Sequence, residues 1–215
     1  KVALATLGEV IHRTDSSDAI KDLLALCIDR ISSRCSSLCL WRYHADQEKV
    51  EHIFGRQALP VVWDYAESVA TSESTGSFAD AVEVVSQMIA SAFSNISVGQ
   101  VHQADACRSP LPDTAAKVWF TDPPYYDAIP YSDLSDFFLV WLKRALPNHP
   151  MLRDPFNANN PLSPKSQEAV QDEVKVVDGR PKDRVFFEEI MSTAFTEGRR
   201  ILQDDGIGSV VFAHK

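Results

Sequence analysis

Apolar residues recur along this chain with two periods, three-to-four and two. Ile20, Leu23, Leu24, Cys27, Ile28 and Ile31 follow the capping cluster Thr14-Asp15-Ser16-Ser17 and predict a helix from about Ser16 to Arg34. Phe78, Ala81, Val82, Val85, Ile89, Ala92 and Phe93 repeat that spacing behind Ser77 and predict a second helix to about Ser94. A third, from Ser132 or Asp133 to Lys143-Arg144, carries Leu134, Phe137, Phe138, Val140, Trp141 and Leu142; so narrow a polar strip is the mark of a buried helix. Lys182 to about Leu202 predicts a fourth, with Phe186, Phe187, Ile190, Met191, Ala194 and Phe195 facing inward. Runs rich in β-formers lie between them. Leu38–Tyr43 and Lys49–Phe54 predict a small hairpin, and Val98–Ala106, Val118–Phe120 and Ile207–Phe212 predict further strands, the last two buried. Val174–Arg180 reads as a strand entering an Asp-Gly turn. Pro60 is placed to open a short helix through about Ser68, Ala70–Gly76 has the composition of a flexible linker, and Pro147–Pro164 that of a long loop.

This order predicts an α/β protein in two parts. Residues 1–95 form a mainly helical segment with the small hairpin, and residues 96–215 form a second part with an inserted loop at about 147–181. With 215 residues the chain can bury one substantial core or two small ones. Its 45% hydrophobic and 24% charged residues are ordinary for a globular protein. The 21 basic and 30 acidic residues give a net charge of −9, which does not draw polyphosphate by bulk charge and argues against a free-standing DNA-binding module. Any nucleic-acid contact must come from a local basic patch or from parts outside this chain. No apolar run approaches the roughly 18 residues of a membrane span and no signal peptide opens the chain, so the expectation is a cytoplasmic protein with no membrane partner. Cys27, Cys35, Cys39 and Cys107 lack paired Cys-x-x-Cys spacing; reduced thiols and no metal site are expected. The start at Lys1 and the end within an apparent strand lead us to expect a fragment.

The candidate chemistry is concentrated in Val118-Trp-Phe-Thr-Asp122-Pro123-Pro124-Tyr125-Tyr126-Asp127. An apolar run stops at a carboxylate, and two prolines that cannot extend a ladder follow it. Asp122 is thus expected at a strand's C-terminal end, the edge where open α/β sheets bind ligands. Two tyrosines then offer flat apolar faces with polar tips. The plain alternative is a strand that ends in an ordinary Pro-Pro turn with an exposed aspartate.

Asp-Pro-Pro-Tyr in this setting resembles the catalytic motif of amino-methyltransferases, which move a methyl group from S-adenosylmethionine to an exocyclic base nitrogen. The longer run Asp122–Arg144, with Gly55-Arg56-Gln57-Ala58-Leu59-Pro60 upstream and Val211-Phe212-Ala213-His214-Lys215 at the end, looks like large adenine-specific DNA methylases that also carry a zinc ribbon. The resemblance covers about Gly8 to Lys215. It implies a partial Rossmann-like methyltransferase sheet, strands three to five of the order 3-2-1-4-5-7-6, with helices on both faces. It also implies roles. Asp122, with Pro123, Pro124 and Tyr125, would be catalytic: the carboxylate and a backbone carbonyl near Pro123 hold the amine's hydrogens, and Tyr125 stacks on a base extruded from DNA. Aspartate at the first position points to adenine, where cytosine enzymes more often carry serine. Asp105, leaving the third strand, would bind the adenine of S-adenosylmethionine, although a plain turn aspartate fits the local sequence equally well. Tyr126, Arg56 and Gln57 are candidates for substrate contact; Arg56 could instead pair with Asp64 or Glu67. His214 could face the site or be structural. None of the eight glycines forms the Gly-x-Gly cofactor loop, so the chain is expected to be inactive alone. Two other readings stay open, an RNA or protein-amide methyltransferase and a degenerate methylase domain that serves as a scaffold in a modification or defence complex.

Overall fold

The chain begins with a helix that carries no capping signal. In the computed structural model, which describes residues 1–44, 47–55, 58–92, 97 and 99–212, α1 spans Val2–Arg13 and buries Leu4, Gly8 and Ile11, one face at helical spacing. Lys1 at its N-cap makes no side-chain cap, which is why the sequence signals passed it over. Among the described residues the protein is mixed α/β, with five helices and three two-stranded sheets. It divides into two compact units, Lys1–Val98 with Ser132–Pro164, and Gly99–Tyr131 with Lys165–Lys215. The segment 132–164 therefore packs with the N-terminal helices, whereas the sequence placed it in the second part.

The first unit is built on α1, α2 (Asp18–Ser32), α3 (Phe78–Ala92) and α4 (Tyr131–Ala145). Ile28 and Ile31 of α2, Leu4 and Ile11 of α1, Ala81 of α3 and Ala145 of α4 share one core. A Cβ added at Gly8 would meet the Arg144–Ala145 backbone at an ordinary 3.6 Å, so α1 packs beside the end of α4. The predicted hairpin forms as β1 (Trp41–His44) and β2 (Gln47–Val50), paired antiparallel. Three expectations need correction. No helix follows Pro60: the Ala66 and Ser68 N–H groups donate to the carbonyls of Cys39 and Arg34, so this backbone finds its partners across the unit and not four residues back. Ala70–Gly76 is not a loose linker. Ala70 is buried and accepts from Phe78 N–H, while Ser77 Oγ accepts from Asp80 N–H and the Asp80 carboxylate accepts from Gly76 N–H. Helix α4 is half-buried and not enclosed; Phe137 and Phe138 pack on Phe54 while Val140 faces out. Loop 147–164 winds around buried Asp154, whose carboxylate accepts from Phe156 N–H, Asn157 N–H and the Asn160 amide.

In the second unit the Asp-Gly turn appears as predicted. It joins β4 (Asp172–Val177) to β5 (Arg180–Lys182), with Asp178 at φ 51° and Gly179 at φ 79°, the left-handed pair that a two-residue hairpin requires. Lys182 ends β5 and is buried, its ammonium donating to the carbonyls of Lys165 and Glu168; α5 (Arg184–Ile201) starts two residues later, capped by Asp183. The β3 strand (Ala116–Thr121) pairs parallel with β6 (Leu202–Val210), and Asp204-Asp205-Gly206 is a bulge within β6, not a break before it. Three further expectations fail. Residues 99–106 form no strand, because no strand lies beside them among the described residues to complete a ladder. Among the described residues, helices do not cover both faces of the parallel pair. Nor is β3 a buried strand: α5 covers the Trp119 side, but Val118, Phe120 and Ile207 on the other side are 65%, 67% and 68% exposed. A parallel strand is enclosed only when layers lie on both faces. No described helix is long and apolar enough to cross a membrane.

The first unit also holds a misplaced charge. Asp29 of α2 is half-buried, its Oδ1 sealed from solvent without a hydrogen-bond partner among the described residues, and burial pushes its carboxyl up to about 7. A raised carboxyl gives stability that is full below the unfolded value of about 3.9 and lost as pH rises to about 7. Urea unfolding is therefore expected to show Asp29→Asn gaining on the order of 4 kcal/mol over the parent at pH 8 and little at pH 4. A gain that did not depend on pH would remove Asp29 as the cause.

Candidate active site at the end of the parallel pair

The site is positioned by an unusually close contact between helix and strand. Trp119 of β3 lies against Gly198 of α5, so near that a Cβ on the glycine would fall inside the indole, and Phe195 meets the same ring edge-on at 6.0 Å. Glycine in a helix interior costs about 1 kcal/mol against alanine, and the sequence accepts that cost where the indole needs the space. The β3–β6 ladder runs to Thr121↔Val210, and the Val211 N–H still donates to the Thr121 carbonyl at 2.9 Å. Pro123 and Pro124 then bring no N–H, and the strand ends. Asp122 is exposed at that edge, and Pro123 behind it is buried.

Beyond the prolines the chain turns back. The Tyr125 carbonyl accepts from Ala128 N–H at 2.8 Å, which places Tyr126 in the turn at φ 41°. A left-handed backbone costs a residue with a side chain of order 1–3 kcal/mol and persists only when its surroundings fix it. Here the Tyr126 ring stacks on Phe187 at 4.4 Å and 30°, its hydroxyl donates to Glu188 Oε1 at 3.2 Å, and its carbonyl accepts from Gln171 N–H at 3.0 Å. Arg184 donates to the same Glu188 oxygen at 2.8 Å; that hydrogen bond, more than the tyrosine, holds the Glu188 carboxyl below the usual carboxylate range.

Tyr125 points the other way. Its hydroxyl donates to Asp122 Oδ1 at 2.6 Å, and Phe212, just past the end of β6, meets its ring edge-on at 5.1 Å and 79°. The C-terminal ends of both parallel strands therefore converge on one carboxylate and one phenol. Beside them an open groove of about 770 Å³ runs along α5, walled by Phe187, Met191 and Phe195 with Tyr126, Val210 and Phe212.

Of the sequence-predicted residues, the structure brings Asp122, Pro123, Pro124, Tyr125 and Tyr126 together. Asp105 is elsewhere. Its Oδ1 accepts from Cys107 N–H at 2.8 Å and its carbonyl from Arg108 N–H, so it closes its own turn, and no hydrogen bond joins it to the Asp122 loop among the described residues. That turn belongs to a loop fastened to α5: Ser109 N–H donates to Glu197 at 2.7 Å, and Arg200 holds Glu197, Asp113 and the Leu111 carbonyl. Arg56, Gln57 and His214 lie outside the described residues. Sequence reasoning did not single out Phe187, Glu188 and Arg184, which meet Tyr126 from 62 positions or so along the chain. No local signal marks such a meeting. Among the described residues no three His, Cys, Asp or Glu side chains are grouped to hold a metal ion.

For the cofactor the resemblance implies, the fit is incomplete. Asp105 spends one oxygen on its own turn, and no glycine-rich turn or second-strand acid appears among the described residues.

Gly198→Ala is expected to destabilise by about 1–3 kcal/mol in urea unfolding, although alanine is the better helix former, because the indole of Trp119 cannot yield. A stabilised variant would mean that α5 does not seat β3 this closely.

Comparison with protein-family models, with curated proteins and with solved structures finds no match to this chain.

Proposed function

We propose that this chain carries the amine-binding part of an S-adenosylmethionine-dependent methyltransferase acting on the exocyclic N6 of adenine in DNA. One observation carries the reading: an exposed carboxylate on a proline-stiffened loop at the C-terminal end of a parallel strand, hydrogen-bonded to a tyrosine whose ring can receive a base. The adjacent parallel strands β3 and β6, the second entered from α5, support reading them as the fourth and fifth strands of a Rossmann-like methyltransferase sheet.

An exocyclic amine is a poor nucleophile because its lone pair is delocalised into the ring. Asp122 accepts one of its hydrogens, and a backbone carbonyl near Pro123 accepts the other, which draws the nitrogen toward a tetrahedral shape with the lone pair free. The two prolines fix these acceptors before the base arrives. Tyr125 receives the ring of a base taken out of its duplex. S-adenosylmethionine, when bound, supplies the methyl group; its seat is not completed by the described residues. With 30 acidic against 21 basic residues, contacts to phosphate fall to local basic groups.

The incomplete cofactor seat favours one second reading, a domain that captures a base without methylating it and acts as a scaffold.

Two measurements separate these. In a protein that joins this chain to a complete cofactor seat, Asp122→Ala is expected to remain folded and to lose labelled-methyl incorporation into adenine in DNA by roughly a hundredfold, about 3 kcal/mol of lost transition-state contact. Equal incorporation by mutant and parent would take Asp122 out of the mechanism. Isothermal titration of residues 1–215 with S-adenosylmethionine is expected to give a dissociation constant of about millimolar or weaker. Micromolar binding would reveal a cofactor loop in this chain and remove the ground for the scaffold reading.

A further inference from the structure

Tyr125 is expected to work through its ring, yet the structure commits its hydroxyl as well. The 2.6 Å contact to Asp122 Oδ1 is in the range of a charge-assisted O–H···O⁻ bond, stronger than a neutral one. Asp122 is exposed, and an aspartate carboxyl on a solvent-facing loop turns about its last torsion in a broad, two-fold well. A donor fixed on Oδ1 removes that freedom and sets the plane in which Oδ2 lies.

The donor itself is fixed. Only Pro123 and Pro124 separate the two residues, so the backbone between them has both φ angles locked. Phe212 braces the Tyr125 ring edge-on at 5.1 Å, and the Val211 N–H ties that segment to Thr121 next to Asp122. The circuit thus closes from β3 through Asp122, Tyr125 and Phe212 to the end of β6.

We propose that the Tyr125 hydroxyl is the positioning group for Asp122: it holds Oδ1, so that Oδ2 is presented to the amine of a base stacked on the same tyrosine's ring. This rests on the amine-methylation reading. The chemistry permits both bonds at once, since a carboxylate has two oxygens and about four acceptor sites. A base on the Tyr125 face lies one ring thickness from the phenol plane, so two edge donors in neighbouring planes can each meet one oxygen of a single carboxylate. Tyr125 then serves twice, its face as platform and its hydroxyl as the group that aims the acceptor.

The test is Tyr125→Phe, which keeps the ring and removes only the hydroxyl. Carbon-13 relaxation of the Asp122 carboxyl in this chain is expected to show greater side-chain mobility in the variant, and unchanged mobility would overturn the proposal. In the methyl-transfer assay, run on a protein that joins this chain to a complete cofactor seat, kcat is expected to fall at least tenfold with KM unchanged, and the fluorescence of 2-aminopurine at the target position to match the parent, because stacking is retained. A kcat equal to the parent's would show the hydroxyl idle, and a higher one would show it to be a competitor of the amine; either overturns the proposal. Failure of the underlying reading looks different: the parent would then transfer no methyl, or Asp122→Ala would transfer it as well as the parent, whatever Tyr125→Phe does to carboxyl mobility.

Discussion

Trp119 against Gly198 is the contact on which the second unit depends. An indole has no soft rotamer that can retreat, and a missing Cβ leaves helix and strand nothing to slide on, so α5 is held at one height over β3. That height places Phe187 beneath Tyr126 and Glu188 at its hydroxyl, and it aligns β6 beside β3 to Val210. Geometry at the Asp122 edge is thus set by a packing contact on the covered side of the sheet. The candidate chemistry is exposed while its support is buried, as for binding groups carried on loops by a rigid scaffold.

The two tyrosines divide the work. Tyr126 stores backbone strain and is fastened three ways, by a ring stack and a hydroxyl bond to neighbouring residues of α5 and by a carbonyl bond from Gln171. Tyr125 makes its two named contacts at the strand ends, to Asp122 and Phe212. A turn so heavily fixed at one tyrosine presents the other in a reproducible direction. The proposed action on a weak nucleophile would draw on such preorganisation, because a misplaced acceptor costs rate steeply.

The two units differ in how they are stabilised. The first has a shared helical core and tolerates Asp29, whose Oδ1 has no hydrogen-bond partner among the described residues. The second leans on polar anchors: Arg200 and Glu197 fasten the loop of Asp105, and Lys182 fastens the chain at Lys165 and Glu168. Glu197 is held below the usual carboxylate range by Arg200, so acid weakens this unit's anchors, whereas the rise from about pH 4 to about pH 7 weakens the first unit through Asp29.

Local signals were sufficient wherever a local interaction decides the outcome. Helices α2, α3, α4 and α5 follow from apolar spacing; the Asp178-Gly179 turn follows from the left-handed backbone that its residues tolerate; and the end of β3 at Asp122 follows from two prolines without N–H groups. The candidate loop, Asp122 to Tyr126, was legible for the same reason. Tertiary structure decided the rest. Residues 99–106 have the composition of a strand but no neighbour to pair with, and Val118 to Phe120 have that of a buried strand but a covering on one face only. Ala66 and Ser68 spend their N–H groups on distant carbonyls, so the helix expected after Pro60 never closes its own bonds. The partners of Tyr125 and Tyr126, Phe212 and Glu188, arrive from far along the chain. Spacing and propensity describe a residue's own turn or strand, while burial and hydrogen-bond partners are properties of whatever the fold sets beside it.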